Sequence, residues 1–330
     1  MPAIFEALPG LEVPVGAISR SLAEMWVNTA ADGRPAPEAD DARATQVNLV
    51  LHLGLNSTVE DALRQFEVLV NFARRYPSRI VVLCPLAVDV PRCEMRAKIF
   101  GECFLGKSKS DKRCVEFVML SYSVCARPFL ENEVSICLST DLPLYYWAHR
   151  FSANGRLADY RYLLGRAKRV LLDSAIAPAD ALTYPWPNPG AIRDLAYARL
   201  LPVRQSLGQF LAAYAPAALI AGLGRITVTH APTLAAEARV TRAWLEQRLA
   251  ECGLAQGTAT FAVESVTGEN AGALAVRFSY EDAARHFQWH GDLRTGQAQF
   301  EADFGTGLTR LPAAVSLLTP EYALSEAMFF

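Results

Sequence analysis

The segment from Thr45 to Leu86 constrains the fold more than any other part of the chain. "TQVNLVLHLGL" (45–55) is a run of aliphatic and β-branched residues that predicts a strand. "STVEDALRQFEVLVNFARRY" opens on a Ser/Thr cap and repeats apolar residues at intervals of three and four, which predicts a helix. "RIVVLCPL" (79–86) is a continuous apolar strand. A helix of crossover length between two buried strands joins them in parallel, so the chain must build an α/β sheet.

The residues beyond Leu86 make that sheet mixed. In "CEMRAKIF" (93–100), Met95, Ala97 and Ile99 alternate with Glu94, Arg96 and Lys98, the period of a half-exposed strand. "CVEFVMLSYS" is β-rich again, so a hairpin with a polar tip at 106–113 adds antiparallel neighbours. "LPLYYWAHRF" (142–151) and "AKRVLLDSA" (167–175) are further strands, with a helix between them near "GRLADYRYLLG". "GAIRDLAYARLLPVRQSLGQFLAAY" reads as a helical hairpin or a helix bent near Pro202.

Beyond "APAAL" the pattern changes. "GRITVTHAP" is a strand and "TLAAEARVTRAWLEQRLAECG" a helix ending at Gly253. "TATFAVESV", "ALAVRFSY", "RHFQWHGD" and "QAQFEADF" are consecutive strands, before a closing helix in "TPEYALSEAMFF". The fold class is α/β and α+β. An N-terminal helix and linker (1–43) precede a mixed-sheet α/β domain (44–216) and a smaller α+β domain with an antiparallel meander (217–330). The first helix, 16–28, carries Ile18, Leu22, Met25 and Trp26 on one side. So short a helix must dock, either on its own chain, the favoured alternative, or on a partner.

"GECFLGKS" (101–108) matches the phosphate-loop pattern G-x-x-x-x-G-K-[ST] at every fixed position. A working phosphate loop leaves a buried strand and opens a helix, so that backbone N–H groups converge on the phosphates. Here strand pattern lies on both sides, and the match reads as part of the hairpin.

With a net charge of −2, the 330 residues carry no electrostatic footprint for nucleic acid. No apolar run is long enough for a membrane span, and "MPAIFEALPGLEVPVG" lacks the basic start and apolar core of a signal peptide. A cytoplasmic protein is the expectation. Cys84, Cys93, Cys103, Cys114, Cys125 and Cys137 recur about every ten residues, the length of a strand plus its turn. None forms a C-x-x-C pair and no histidine lies among them, so a metal site is not expected. Either they are free thiols filling the core, or strands bring a pair together that answers to a redox partner.

Four strings occur in order: "RRYPSRIVVL" (74–83), "TDLPLYYWAHRF" (140–151), "AKRVLLDSAIAPAD" (167–180) and "DLAYARLLPVRQSLGQFLA" (194–212). With "AISRSLAEMW" near the start, the chain resembles the OpcA family, the bacterial glucose-6-phosphate dehydrogenase assembly or subunit proteins. It departs from the family's paired tryptophans at Tyr146 and Trp147, and in its cysteine cluster. The resemblance implies a non-enzymatic factor that binds glucose-6-phosphate dehydrogenase and promotes its active oligomer, at the entry of the oxidative pentose phosphate pathway. It implies no cofactor and no catalytic residue. The alternative is a sugar-phosphate- or nucleotide-binding regulator, or an enzyme, of carbohydrate metabolism.

Candidate ligand or partner contacts lie in the same strings. Arg79 and Asp141 fall in the first two. Trp147 and His149 share a crowded aromatic strand with Tyr145 and Tyr146, built either for an interface or for burial on both faces. Asp173 and Ser174 end a strand, where α/β sheets place ligand groups, or else cap the next loop. Arg199 and Arg204 flank the Leu-Leu-Pro turn near Asp194, and either pair internally or grip a phosphate or a partner carboxylate. His286 and His290 share a strand face about 13 Å apart, too far for one metal.

Overall fold

A computed structural model describes residues 4–37, 46–86, 93–106, 112–151, 160–266 and 272–330. Contacts divide the chain into two units, one of residues 1–195 with 324–330 and one of 196–323. In the first unit the described strands are β1 (Leu11–Val13), β2 (Val47–Leu53), β3 (Ser78–Pro85), β4 (Met95–Leu105), β5 (Lys112–Tyr122), β6 (Leu144–His149), β7 (Arg169–Leu172) and β8 (Ile192–Asp194). They form one mixed sheet in the order β1-β4-β5-β3-β2-β6-β7-β8. From β5 to β8 every pairing is parallel, while β4 is antiparallel to both β1 and β5.

Every residue of β2 is buried, as a central parallel strand requires. Its two polar side chains are satisfied from within. Asn48 Nδ2 donates to Ser139 O at 2.7 Å, and its Oδ1 accepts from Ser139 N at 3.2 Å. The other, His52, lies among tyrosines. The helix Val59–Ala73 is capped by Thr58, whose Oγ1 accepts from Asp61 N at 3.1 Å, and Glu60 and Asp61 in its first turn suit the helix dipole.

The Ile18–Ala31 helix docks on its own chain. Ile18, Leu22 and Trp26 are buried, and Ile18 and Leu22 share a core with Ala97 and Ile99 of β4. The string Gly101 to Leu105 is strand, paired with β5 up to Leu105–Lys112. Gly101 has a packing reason: a Cβ there would lie 2.7 Å from the Trp26 ring. Lys107 and Ser108, the remaining positions of the phosphate-loop match, lie outside the described residues.

Several expectations are corrected. Lys98 is buried rather than solvated, because residues 5–8 cover that face of β4. Its ammonium donates to Phe5 O at 2.7 Å, Leu8 O at 3.0 Å and Glu6 O at 3.1 Å. Four of the clustered cysteines are not free: Cys103 pairs with Cys114 across the hairpin, and Cys93 with Cys125. Cys84, Cys137 and Cys252 are free. The ten-residue cysteine spacing is not one strand per cysteine either, since Cys137 ends a helix, Arg127–Cys137. Ile192–Asp194 is an edge strand, not the start of a helix.

In the second unit the strands β9 (Leu223–His230), β10 (Thr260–Ser265), β11 (Ala273–Tyr280), β12 (His286–Asp292), β13 (Gln297–Asp303) and β14 (Thr309–Ala314) run in the order β10-β9-β11-β12-β13-β14. The meander β11–β14 is antiparallel, but β10 is not part of it. The Ala235–Glu251 helix crosses over and returns β10 parallel to β9. One sheet face is apolar, with Ile226, Val228, Val276, Phe278, Phe287, Trp289 and Phe300 in the core. Leu200, Val203, Leu207 and Phe210 of the 195–211 helical stretch belong to this same core, where Phe210 stacks on Phe300 at 4.3 Å.

Candidate functional site

Strand order in the first sheet reverses beside β2. The chain runs outward from β2 to β3, then starts again on β2's other side with β6. Ligands of open α/β sheets bind beyond the carboxyl ends of the strands at such a point, against a helix N-terminus. Here the residues beyond β2 and β6 are Gly54 and Arg150, and the helix is Val59–Ala73.

That point is filled by the chain itself. Gly54 N donates to His149 O at 2.8 Å, and a Cβ on Gly54 would collide with the Arg150 carbonyl, so the two strand ends touch. Asp61 Oδ2 accepts from His149 Nε2 at 2.7 Å and from Arg150 Nε at 2.8 Å. Arg150 adopts φ +50°, a left-handed conformation that costs a non-glycine residue about 1–2 kcal/mol. A carboxylate thus sits in the first turn of the helix, near the position an incoming phosphate would take.

Burial raises the Asp61 pKa, but the hydrogen bond and charge of His149, with Arg150, outweigh it and hold the carboxyl below its ordinary value. Burial lowers the His149 pKa despite the hydrogen bond and charge of Asp61, and the Nε2 that faces the Asp61 carboxylate carries a proton. His149 Nδ1 and the neighbouring Trp147 Nε1 have no partner among the described residues. An Asp–His pair with a free ring nitrogen is the arrangement of a general base. With the ring only 1% exposed, however, it acts in this structure as a strut between β6 and the helix.

A second polar knot lies inside the same edge. His52 Nε2 meets the Tyr122 hydroxyl at 2.6 Å, Nδ1 meets the Tyr146 hydroxyl, and Tyr122 meets the Tyr160 hydroxyl at 2.9 Å. All four side chains are buried. Burial drives the His52 pKa well below its usual value, with Arg127 adding to the effect.

The eight sequence-predicted contacts fall in three places. Trp147, His149, Asp173 and Ser174 lie at or near the carboxyl edge of the first sheet, and the Asp173 charge bears on His149. Ser174 N donates to Asp194 Oδ1 at 3.0 Å, which ties β7 to β8. Arg79 and Asp141 lie at the opposite edge. Arg79 Nε donates to Glu116 Oε2 at 2.9 Å, while Trp26 Nε1 donates to Glu116 Oε1 at 2.8 Å; Asp141 is exposed in the turn before β6. Arg199 and Arg204 belong to the second unit. There Arg199 Nε donates to Glu237 Oε1 at 2.7 Å, and the Arg204 guanidinium lies 3.7 Å from the Tyr197 ring centre. Sequence reasoning missed Asp61, Glu116 and Glu237, the carboxylates that hold these groups. Asp61's place three residues after a capping Thr was the one signal that could have found it.

Fold and site together define a two-unit protein: a doubly wound mixed α/β sheet whose crossover point is closed by its own side chains, and an α+β unit with a mostly antiparallel sheet. No family model and no curated protein matches the chain. Among solved structures it is similar to a glucose-6-phosphate 1-dehydrogenase from Mycobacterium avium, at 12% identity over 86% of each chain with a TM-score of 0.45. It is also similar to aspartate semialdehyde dehydrogenase II from Vibrio cholerae, at 13% identity over 73% of this chain and 76% of that one with a TM-score of 0.29. At TM-scores below 0.5 these likenesses carry no functional weight. Among the described residues no helix is long and apolar enough to cross a membrane.

Proposed function

We propose that this chain is a non-enzymatic assembly factor that binds glucose-6-phosphate dehydrogenase and promotes its active oligomer. The observation that carries the reading is the ordered set of four OpcA-like strings between 74 and 212. The closed crossover point supports a binding rather than a catalytic role. Asp61, His149 and Arg150 occupy the place where a sheet of this plan receives a dinucleotide phosphate, and a fixed carboxylate there repels one. The buried His52 and His149 are likewise engaged in holding the fold together, His52 between strands and His149 between β6 and the Val59–Ala73 helix.

The test is to add the purified chain to the dehydrogenase of the same organism and assay NADPH formation. A saturable rise in rate, with no turnover by the chain alone, is expected. Unchanged kinetics at micromolar concentrations of both proteins would remove the proposal.

A further inference from the structure

The sheet of the second unit buries one face under helices, and among the described residues its other face is open. A groove of about 310 Å³ runs along that open face, at the small end of ligand-site volumes. Register sets its centre: Arg277 of β11 stands between Thr227 of β9 and Gln288 of β12. Ser279 lies next on the same face, and Thr229 and His290 line the neighbouring rung.

The charges in and beside this groove are matched except at its centre. Arg225 is held by Glu264 at 2.7 Å. Glu301 is held by Arg310 at 2.8 Å and by His286 at 3.4 Å. Arg277 is exposed and has no hydrogen bond or ion pair among the described residues. An acid opposite an arginine stabilises a sheet face, yet both cross-strand neighbours of Arg277 are uncharged hydrogen-bonding side chains, Thr227 and Gln288, the latter with its Nε2 against His290 Nε2. The Thr227 hydroxyl accepts from Arg225 Nε at 3.2 Å, which leaves its proton free to point outward.

We propose that this groove binds a phosphorylated polyol, with the phosphate on Arg277 and the hydroxyls on the surrounding side chains. A guanidinium offers a phosphate two parallel N–H bonds, and Ser279 and Thr227 add donors to its remaining oxygens. Gln288, Thr229 and Glu264 offer acceptors to the ligand's hydroxyls. The site is distinct from the crossover point and does not depend on the assembly-factor reading, since it is tested on the chain alone.

The experiment is isothermal titration calorimetry of the full chain with three probes: glucose 6-phosphate, glucose and inorganic phosphate. Glucose 6-phosphate should bind saturably and more tightly than either of the others. Arg277→Gln should weaken it at least about tenfold while leaving the melting temperature unchanged. Thr227→Val should weaken it less, and Arg204→Gln not at all. Absence of saturable binding, or binding that Arg277→Gln leaves intact, overturns the site. Equal affinity for inorganic phosphate overturns the polyol part of the assignment.

Discussion

The indole of Trp26 lies across Gly101 so closely that any β-carbon at that position would stand 2.7 Å from the ring. Its Nε1 reaches past the strand to Glu116 Oε1 at 2.8 Å, and Glu116 in turn holds Arg79. One contact therefore joins the N-terminal helix, the hairpin and the third strand.

Trp26→Ala should destabilise the protein by about 3–5 kcal/mol, the range for removing a buried aromatic side chain. Gly101→Ala should also destabilise it, because the ring must move away. Removing residues 1–31 should destabilise it as well. Urea unfolding followed by circular dichroism measures all three, and an unchanged midpoint in each would show that the helix does not dock on its own chain.

Acid should weaken the fold from about pH 6.5 downward, the ordinary value for histidine in the unfolded chain. Burial lowers the pKa of both His52 and His149 in the folded state. Below that pH the unfolded chain takes up protons that the folded one refuses, so stability falls as pH falls. Asp61, whose pKa is lowered, contributes stability above the usual carboxylate range that is lost only at more acidic pH. Melting temperatures at pH 7.5 and 5.5 should differ less in His52→Gln than in the parent. An equal drop in both would exclude His52 as a source of the slope.

Thiol counts should separate the cysteines into three groups. In protein purified without reductant, Cys252 should react with a thiol reagent in the native state. Cys84 and Cys137, buried and with pKa values pushed up to about 12, should not. Denaturant should expose these three, and reduction the four in the Cys93–Cys125 and Cys103–Cys114 pairs. Seven thiols in denaturant before reduction would contradict the pairings.

The local elements were legible where periodicity and caps speak directly. The opening strand, capped helix and second strand lie within three residues of their expected bounds. What escaped were features that depend on distant residues. Lys98 reads as a solvent-facing position because alternation cannot show that residues 5–8 fold back over it. The strand Ile192–Asp194 is too short to show a period, and β10 joins its sheet in parallel through pairing with β9. At the crossover point His149 was visible as a polar residue on an apolar strand. Its partner Asp61 is 88 positions away, and only the parallel register of β2 and β6 brings the two together.

Light scattering coupled to size exclusion shows whether the chain and the dehydrogenase assemble. The chain and the glucose-6-phosphate dehydrogenase of its own organism should be run separately and as an equimolar mixture, with activity measured across the peaks. A new species is expected that contains both chains, exceeds the dehydrogenase in mass and has a higher specific activity than the dehydrogenase alone. Two separate peaks with masses and activity unchanged would contradict it.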